Sequence, residues 1–145
     1  IAISGDMIVG FPGETEADHR QTLALIEALG LAYLHVFPFS PRPGTVAATL
    51  PDPVDEPELR ARARELRDLG DRLWRTFRER LVGLRTTAVI STKRAGDRLT
   101  GFTDQAVPIE LEGSSAWMGK LARIRLDALT TGGMTATLED AAVLQ

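Results

Sequence analysis

Apolar and polar positions change their period twice along the chain, and those changes divide it into parts. Met7-Ile8-Val9 is a short apolar run that ends at Gly10, where a missing Cβ lets the backbone turn sharply and approach a ligand closely. Pro12 and Gly13 supply turn chemistry, and Thr15 follows as a helix cap with Glu16 and Asp18 at the positive end of the helix dipole. Leu23, Leu25, Ile26 and Leu29 then form an apolar stripe that predicts a helix over 15–29, closed by Gly30. Leu31 to Phe39 is mostly apolar and rich in aromatic residues, as suits a parallel strand buried on both faces. Strand, helix and strand make a βαβ unit with a right-handed crossover.

The pattern breaks between Pro38 and Pro57, where repeated prolines predict a stiff, irregular connection holding a single cation, Arg42. Arg42 stands either as an exposed surface arginine or as a fork for carboxylate or phosphate. From Glu58 to about Val82 the helical period returns at Leu59, Ala63, Leu66, Leu73, Phe77 and Leu81. Glu58 with Arg62, Asp68 with Arg72 and Asp71 with Arg75 are acid-before-base pairs that support it. Arg60, Arg64 and Arg67 share one side, either as a solvated face or as a face for phosphates.

Past Gly83 the period becomes two. Short alternating runs at 86–92, 99–103, 107–111, 120–126 and 134–138 are separated by turns such as Ala95-Gly96-Asp97 and Thr131-Gly132-Gly133. They predict a small antiparallel five-stranded barrel, closed so that no sheet edge remains. The expected fold class is therefore α/β plus all-β, with one part over 1–82 and a β-barrel over 83–145.

Composition narrows the chemistry. With 43% hydrophobic and 26% charged residues the chain is globular rather than disordered. A net charge of -3 excludes a uniformly basic nucleic-acid binder but leaves local patches open. No apolar run is long enough to span a membrane and no charged, apolar leader opens the chain, so the cytoplasm is the expected compartment, with no membrane partner. The chain has no cysteine, which removes disulfides, thiolate nucleophiles, cysteine-ligated zinc and any iron-sulfur cluster held by these residues alone. Neither metal-ligand spacing nor a Ser-His-Asp arrangement stands out, so no catalytic or metal residue is assigned. His19, among polar residues of the first helix, is expected at the surface. His35, within the second strand, is expected either as a satisfied core histidine or as a ligand contact.

In the barrel region Lys93, Arg94 and Arg98 flank the first turn, while Arg123 and Arg125 share a strand face with Lys120 nearby. Phe102 and Trp117 are candidates to stack on an unpaired base, with core packing as the rival role. Acidic residues match the basic ones in number from Gly83 onward, so any nucleic-acid surface there must be local.

Two strings carry a resemblance: Asp6-Met7-Ile8-Val9-Gly10-Phe11-Pro12-Gly13-Glu14-Thr15, and His35-Val36-Phe37-Pro38-Phe39-Ser40-Pro41-Arg42-Pro43-Gly44-Thr45. In this order and separation they resemble the end of the radical S-adenosylmethionine (SAM) domain of the methylthiotransferases, enzymes that place a methylthio group on tRNA adenosines or on a ribosomal protein. Gly101-Phe102-Thr103-Asp104, Val107-Pro108 and the 119–126 stretch are similar, more loosely, to the RNA-binding TRAM domain that ends those enzymes.

The resemblance implies the carboxyl-terminal βαβ part of a radical SAM (partial TIM) barrel, a long connecting helix and a five-stranded, OB-like TRAM barrel. It implies SAM as cofactor, cradled by Ile8, Val9, Gly10 and Phe11, with Glu14 at a ribose hydroxyl and Phe37 and Phe39 at the next strand end. [4Fe-4S] clusters would belong to a missing amino-terminal half of the same polypeptide, an expectation also drawn from the start at Ile1 and the absent cysteines. His35 and Arg42 would face the substrate base, and Lys93, Arg94, Arg98, Phe102, Arg123 and Arg125 would hold tRNA. The implied reaction cleaves SAM to a 5′-deoxyadenosyl radical, abstracts hydrogen from adenine and inserts sulfur, and this fragment alone is expected to be inactive. His35 to Ser40 most resembles the branch acting on N6-threonylcarbamoyladenosine. The isopentenyladenosine and ribosomal-protein branches are alternatives, as are a stand-alone RNA-binding module and a purely structural α/β domain.

Overall fold

Parallel pairing of β1 (Ser4–Val9) with β2 (Tyr33–Pro38), joined through α1 (Glu16–Leu29), gives the strand-helix-strand unit in the computed structural model, which describes residues 1–141. Asp6 pairs with His35 and Ile8 with Phe37. The start of α1 is a full capping box: Asp18 N–H donates to the Thr15 hydroxyl at 3.2 Å, and Thr15 N–H donates back to the Asp18 carboxylate at 2.9 Å. Gly30 ends the helix in the left-handed conformation at φ 63°.

α2 (Glu56–Glu79) starts where the Asp55 carboxylate accepts from Glu58 N–H, two residues earlier than the apolar period alone indicates. The chain divides into two compact units, Ala2–Trp74 and the residues from Arg75 on, so α2 gives the first unit all but its last turns. Val9, Ile26, Ala63, Leu66 and Leu69 are the buried centre of the first unit, with Met7, Leu34 and Val36 packed against them. These strand residues alternate with Asp6, Ile8, His35 and Phe37, which lie on the opposite, exposed face.

Four expectations for this unit are corrected. The second strand is covered by helices on one face only, because both helices of this unit pack on the same side of a two-stranded sheet. His35 is consequently exposed rather than a core histidine. His19 is buried at 1% exposure, with its Nε2–H donating to Glu65 at 3.0 Å, because positions 19, 23 and 26 share the helix face turned to the core. Leu25 and Leu29 fall off that face and are exposed.

The second unit is a closed barrel of β3 (Arg85–Ala95), β4 (Arg98–Thr103), β5 (Pro108–Leu111), β6 (Leu121–Leu129) and β7 (Met134–Ala141) in the order β3-β4-β5-β7-β6. The last four residues of the expected 83–145 segment lie outside the described residues. All neighbours are antiparallel except β5 and β7, which run parallel and correct the expectation of a wholly antiparallel barrel. Strand number explains the exception: an odd ring cannot alternate in direction all the way round, so five strands must contain a parallel contact. Ile90, Leu99, Ile109, Leu111, Ile124, Leu126 and Met134 fill the interior. Arg78, in the last turn of α2, is buried and donates to the carbonyls of Thr130 and Gly133 at 2.9 and 2.7 Å. Burial first, and the nearby Arg75 charge second, lower its pKa from the usual guanidinium value.

Candidate functional site

The site begins where β1 stops. Gly10 turns with φ 76°, a backbone angle that favours glycine, and a Cβ there would push the end of the Leu59 side chain aside. Its N–H donates to the Glu14 carboxylate at 2.6 Å. The same carboxylate accepts from Arg62 of α2 at 2.9 Å, and Arg62 also donates to the Glu14 carbonyl and to Glu58. Arg62 is only 4% exposed, and its charge is matched by Glu14 and Glu58, the condition under which a buried cation is tolerated. Glu14 is thus engaged within the protein, in a brace that fixes the bend from β1 into α1.

Beside the bend, the ends of both strands and the connection after β2 enclose a cavity of about 620 Å³. Ile8, Phe11, Phe37 and Phe39 give it an apolar, aromatic lining, with Phe11 and Phe39 edge to face at 5.2 Å. Asp6 and Arg42 supply opposite charges to the lining, and neither side chain has a hydrogen bond or ion pair among the described residues. Ser40 and Thr45 add hydroxyls. The Arg42 carbonyl accepts from Thr45 N–H and hydroxyl at 3.2 and 2.8 Å, which fixes the backbone that carries the guanidinium.

Five of the sequence-predicted residues, Ile8, Phe11, Phe37, Phe39 and Arg42, come together here. Val9 and Gly10 are buried beneath the lining, and Glu14 is held in the brace. His35 stands on the same open sheet face but outside the cavity, edge to face with Tyr33 at 5.2 Å. Asp6 was missed, although strand alternation from Ile8 carried the signal, since positions 6 and 8 share a face. Apolar walls with one free carboxylate and one free guanidinium suit a planar heteroaromatic ligand that carries N–H donors and negative or polar substituents. No pair of side chains in the cavity forms a nucleophile and its base.

On the barrel, pairing places Phe102 and Leu121 on either side of Val89, and Phe102 and Val89 are each 55% exposed. Arg123 lies next along β6, opposite Thr87, while Arg125 is paired with Asp127 at 3.0 Å. Arg94 is engaged by the carbonyls of Asp97 and Gly113, and Arg98 lines a separate groove beside Glu110, Glu112 and Asp127. The basic residues predicted for RNA are therefore spread over different surfaces: Phe102, Arg123 and the Asp127-paired Arg125 share one broad face, while Arg94 and Arg98 lie elsewhere. Trp117, in a short 3-10 turn, is half-buried. Among the described residues, no group of acidic or histidine side chains is placed to hold a metal ion, and no helix is long and apolar enough to cross a membrane.

No family model matches the sequence. Curated relatives nevertheless match it almost end to end, and they are tRNA-modifying enzymes of the methylthiotransferase family that the two strings resemble. The tRNA-2-methylthio-N(6)-dimethylallyladenosine synthase of Maricaulis maris is 36% identical over 140 residues, covering 95% of this chain and 30% of the relative. The enzymes of the same name from Neorickettsia sennetsu and Trichlorobacter lovleyi are 35% identical over 140 residues and 40% over 128, covering 97% and 87% of this chain and 29% of each relative. The chain spans less than a third of the length of these relatives. Their names carry dimethylallyladenosine, and the threonylcarbamoyladenosine assignment drawn from His35 to Ser40 has no support among them.

Proposed function

We propose that this chain is the carboxyl-terminal part of an enzyme that forms 2-methylthio-N6-dimethylallyladenosine in tRNA. Residues 1–82 would complete a radical SAM barrel, and the five-stranded barrel would be its TRAM domain. The observation that carries the reading is the similarity along 95% of the chain, reinforced by an aromatic cavity at the carboxyl ends of parallel strands, where α/β proteins place ligands.

The cavity fits the adenosyl part of SAM. Ile8, Phe11, Phe37 and Phe39 would pack on the purine, Asp6 would accept from an N–H donor, and Arg42 would meet the incoming tRNA at the rim. Bound SAM supplies, on reductive cleavage, the radical that activates the target adenine. The residues of this chain do the binding: they hold a purine flat, exclude water with aromatic walls and fix the bend through the Arg62–Glu14–Gly10 brace. Cysteine ligands for a [4Fe-4S] cluster would come from outside this sequence, which has none. His35, on the open sheet face, would line the barrel interior.

Expression of the full-length protein in a bacterium lacking its own tRNA methylthiotransferases tests the proposal. Nucleoside mass spectrometry of tRNA should show 2-methylthio-N6-dimethylallyladenosine. Accumulation of the unmethylthiolated nucleoside alone, or a methylthio group on threonylcarbamoyladenosine instead, would refute it.

A further inference from the structure

The exposed flank of α2 forms a second groove, of about 490 Å³, with the end of β2. Arg60, Arg64, Arg67 and Asp71 line it because positions four, seven and eleven residues apart return to the same side of a helix. Arg60 is committed locally: its Nε donates to the Glu56 carbonyl at 3.3 Å and lies 3.5 Å from the Glu56 carboxylate. Arg64 and Arg67 are different. Each precedes an aspartate by four residues, Asp68 and Asp71, and all four line the groove, yet neither pair closes to an ion pair among the described residues. Base before acid is the weaker order on a helix, and the two exposed guanidiniums are left without a protein partner.

Two unpaired arginine forks about 4.5 Å apart along the helix axis can both reach one phosphate, which they match in shape and charge. Asp68 and Asp71 limit the favourable region to the arginine end, so the groove suits one phosphate rather than a long run of backbone. Pro38 lines this groove and also the aromatic cavity, which makes the two neighbours within the first unit. We propose that Arg64 and Arg67 bind a backbone phosphate of the tRNA strand whose target adenosine is presented at the cavity. This rests on the tRNA-modifying reading above and adds to it a contact on α2, separate from the barrel.

The test uses the full-length protein and tRNA containing N6-dimethylallyladenosine, with filter binding measured across a salt series. Arg64→Ala/Arg67→Ala should weaken binding about tenfold at moderate salt and make the slope of log K against log salt shallower by about one. Asp68→Asn/Asp71→Asn, which removes the opposing charge without touching the arginines, should tighten binding. Thermal melting of each variant accompanies the series. Unchanged affinity and slope in the arginine variant, weakened binding with an unchanged slope, or a lowered melting temperature with unchanged tRNA affinity would each overturn the phosphate contact, the last by showing that these arginines pack on the rest of the protein. Wild-type protein that binds no tRNA at any salt would instead refute the tRNA-modifying reading itself.

Discussion

Arg62 shows how a single buried charge can set the geometry of a site it does not touch. Its guanidinium joins Glu14, and through Glu14 the Gly10 N–H, to α2. Replacing it with alanine should lower the unfolding free energy by about 3 kcal/mol, the low end for breaking a buried pair because Glu14 and Glu58 keep some access to water. Urea denaturation checks this, and a loss under 1 kcal/mol would mean the brace is not closed in solution. Gly10→Ala should cost at least about 1–2 kcal/mol for the left-handed backbone alone, before any clash with Leu59. Asp18 is a third case. The Thr15 hydroxyl, and then the Thr15 backbone N–H, hold its carboxyl below the ordinary aspartate value. A depressed carboxyl stabilises the fold above its unfolded value and loses that contribution as pH falls through the lowered one, so the start of α1 should hold until the pH is beneath the usual aspartate range. Carboxyl NMR titration of Asp18 reads this directly, and an unshifted midpoint would contradict it.

Much of this residue-level picture was legible in sequence, but not all of it. Thr15, Asp18 and Gly30 follow from capping rules that depend on neighbours only a few positions away. Glu14 and Arg62 are 48 positions apart, and nothing local links them. Glu58 with Arg62 was anticipated as a local helix pair, but the burial of Arg62, on the side of the helix turned toward Glu14, was not. His19 was misplaced because its flanking residues are polar, although its spacing to Leu23 and Ile26 is that of a core position.

At the scale of elements, alternation and parity decide what periodicity leaves open. An apolar strand of aromatic residues reads as buried on both faces, yet Phe37 remains half-exposed because only two strands and two helices share this unit. The barrel strands were recognisable from their two-residue period, but the β5–β7 contact is a property of the closed ring and appears in no single stretch. The interior should behave as one packed core: Leu126→Ala should cost about 2–5 kcal/mol by chemical denaturation. Phe102→Ala, on the outer face with Val89 and Leu121, should leave stability within about 0.5 kcal/mol of wild type. If it also leaves tRNA affinity unchanged in the full-length protein, stacking on that face is excluded.

At the scale of the molecule, two long strings in the right order spoke for the enzyme family, while the branch read from the second string finds no support among the relatives. Aromatic residues at 37 and 39 report an apolar pocket but do not distinguish the N6 substituents of adenosine, and the relatives named above are dimethylallyladenosine enzymes. The account stands on the aromatic cavity as the adenosyl site. Equilibrium dialysis of SAM against the cluster-loaded full-length protein, wild type and Phe37→Ala, tests that most directly, because Phe37 lines the cavity from an exposed strand face and contributes little to the core. The variant should keep its melting temperature and bind SAM roughly tenfold more weakly; equal affinity in the two proteins would place the nucleoside elsewhere and contradict the assignment.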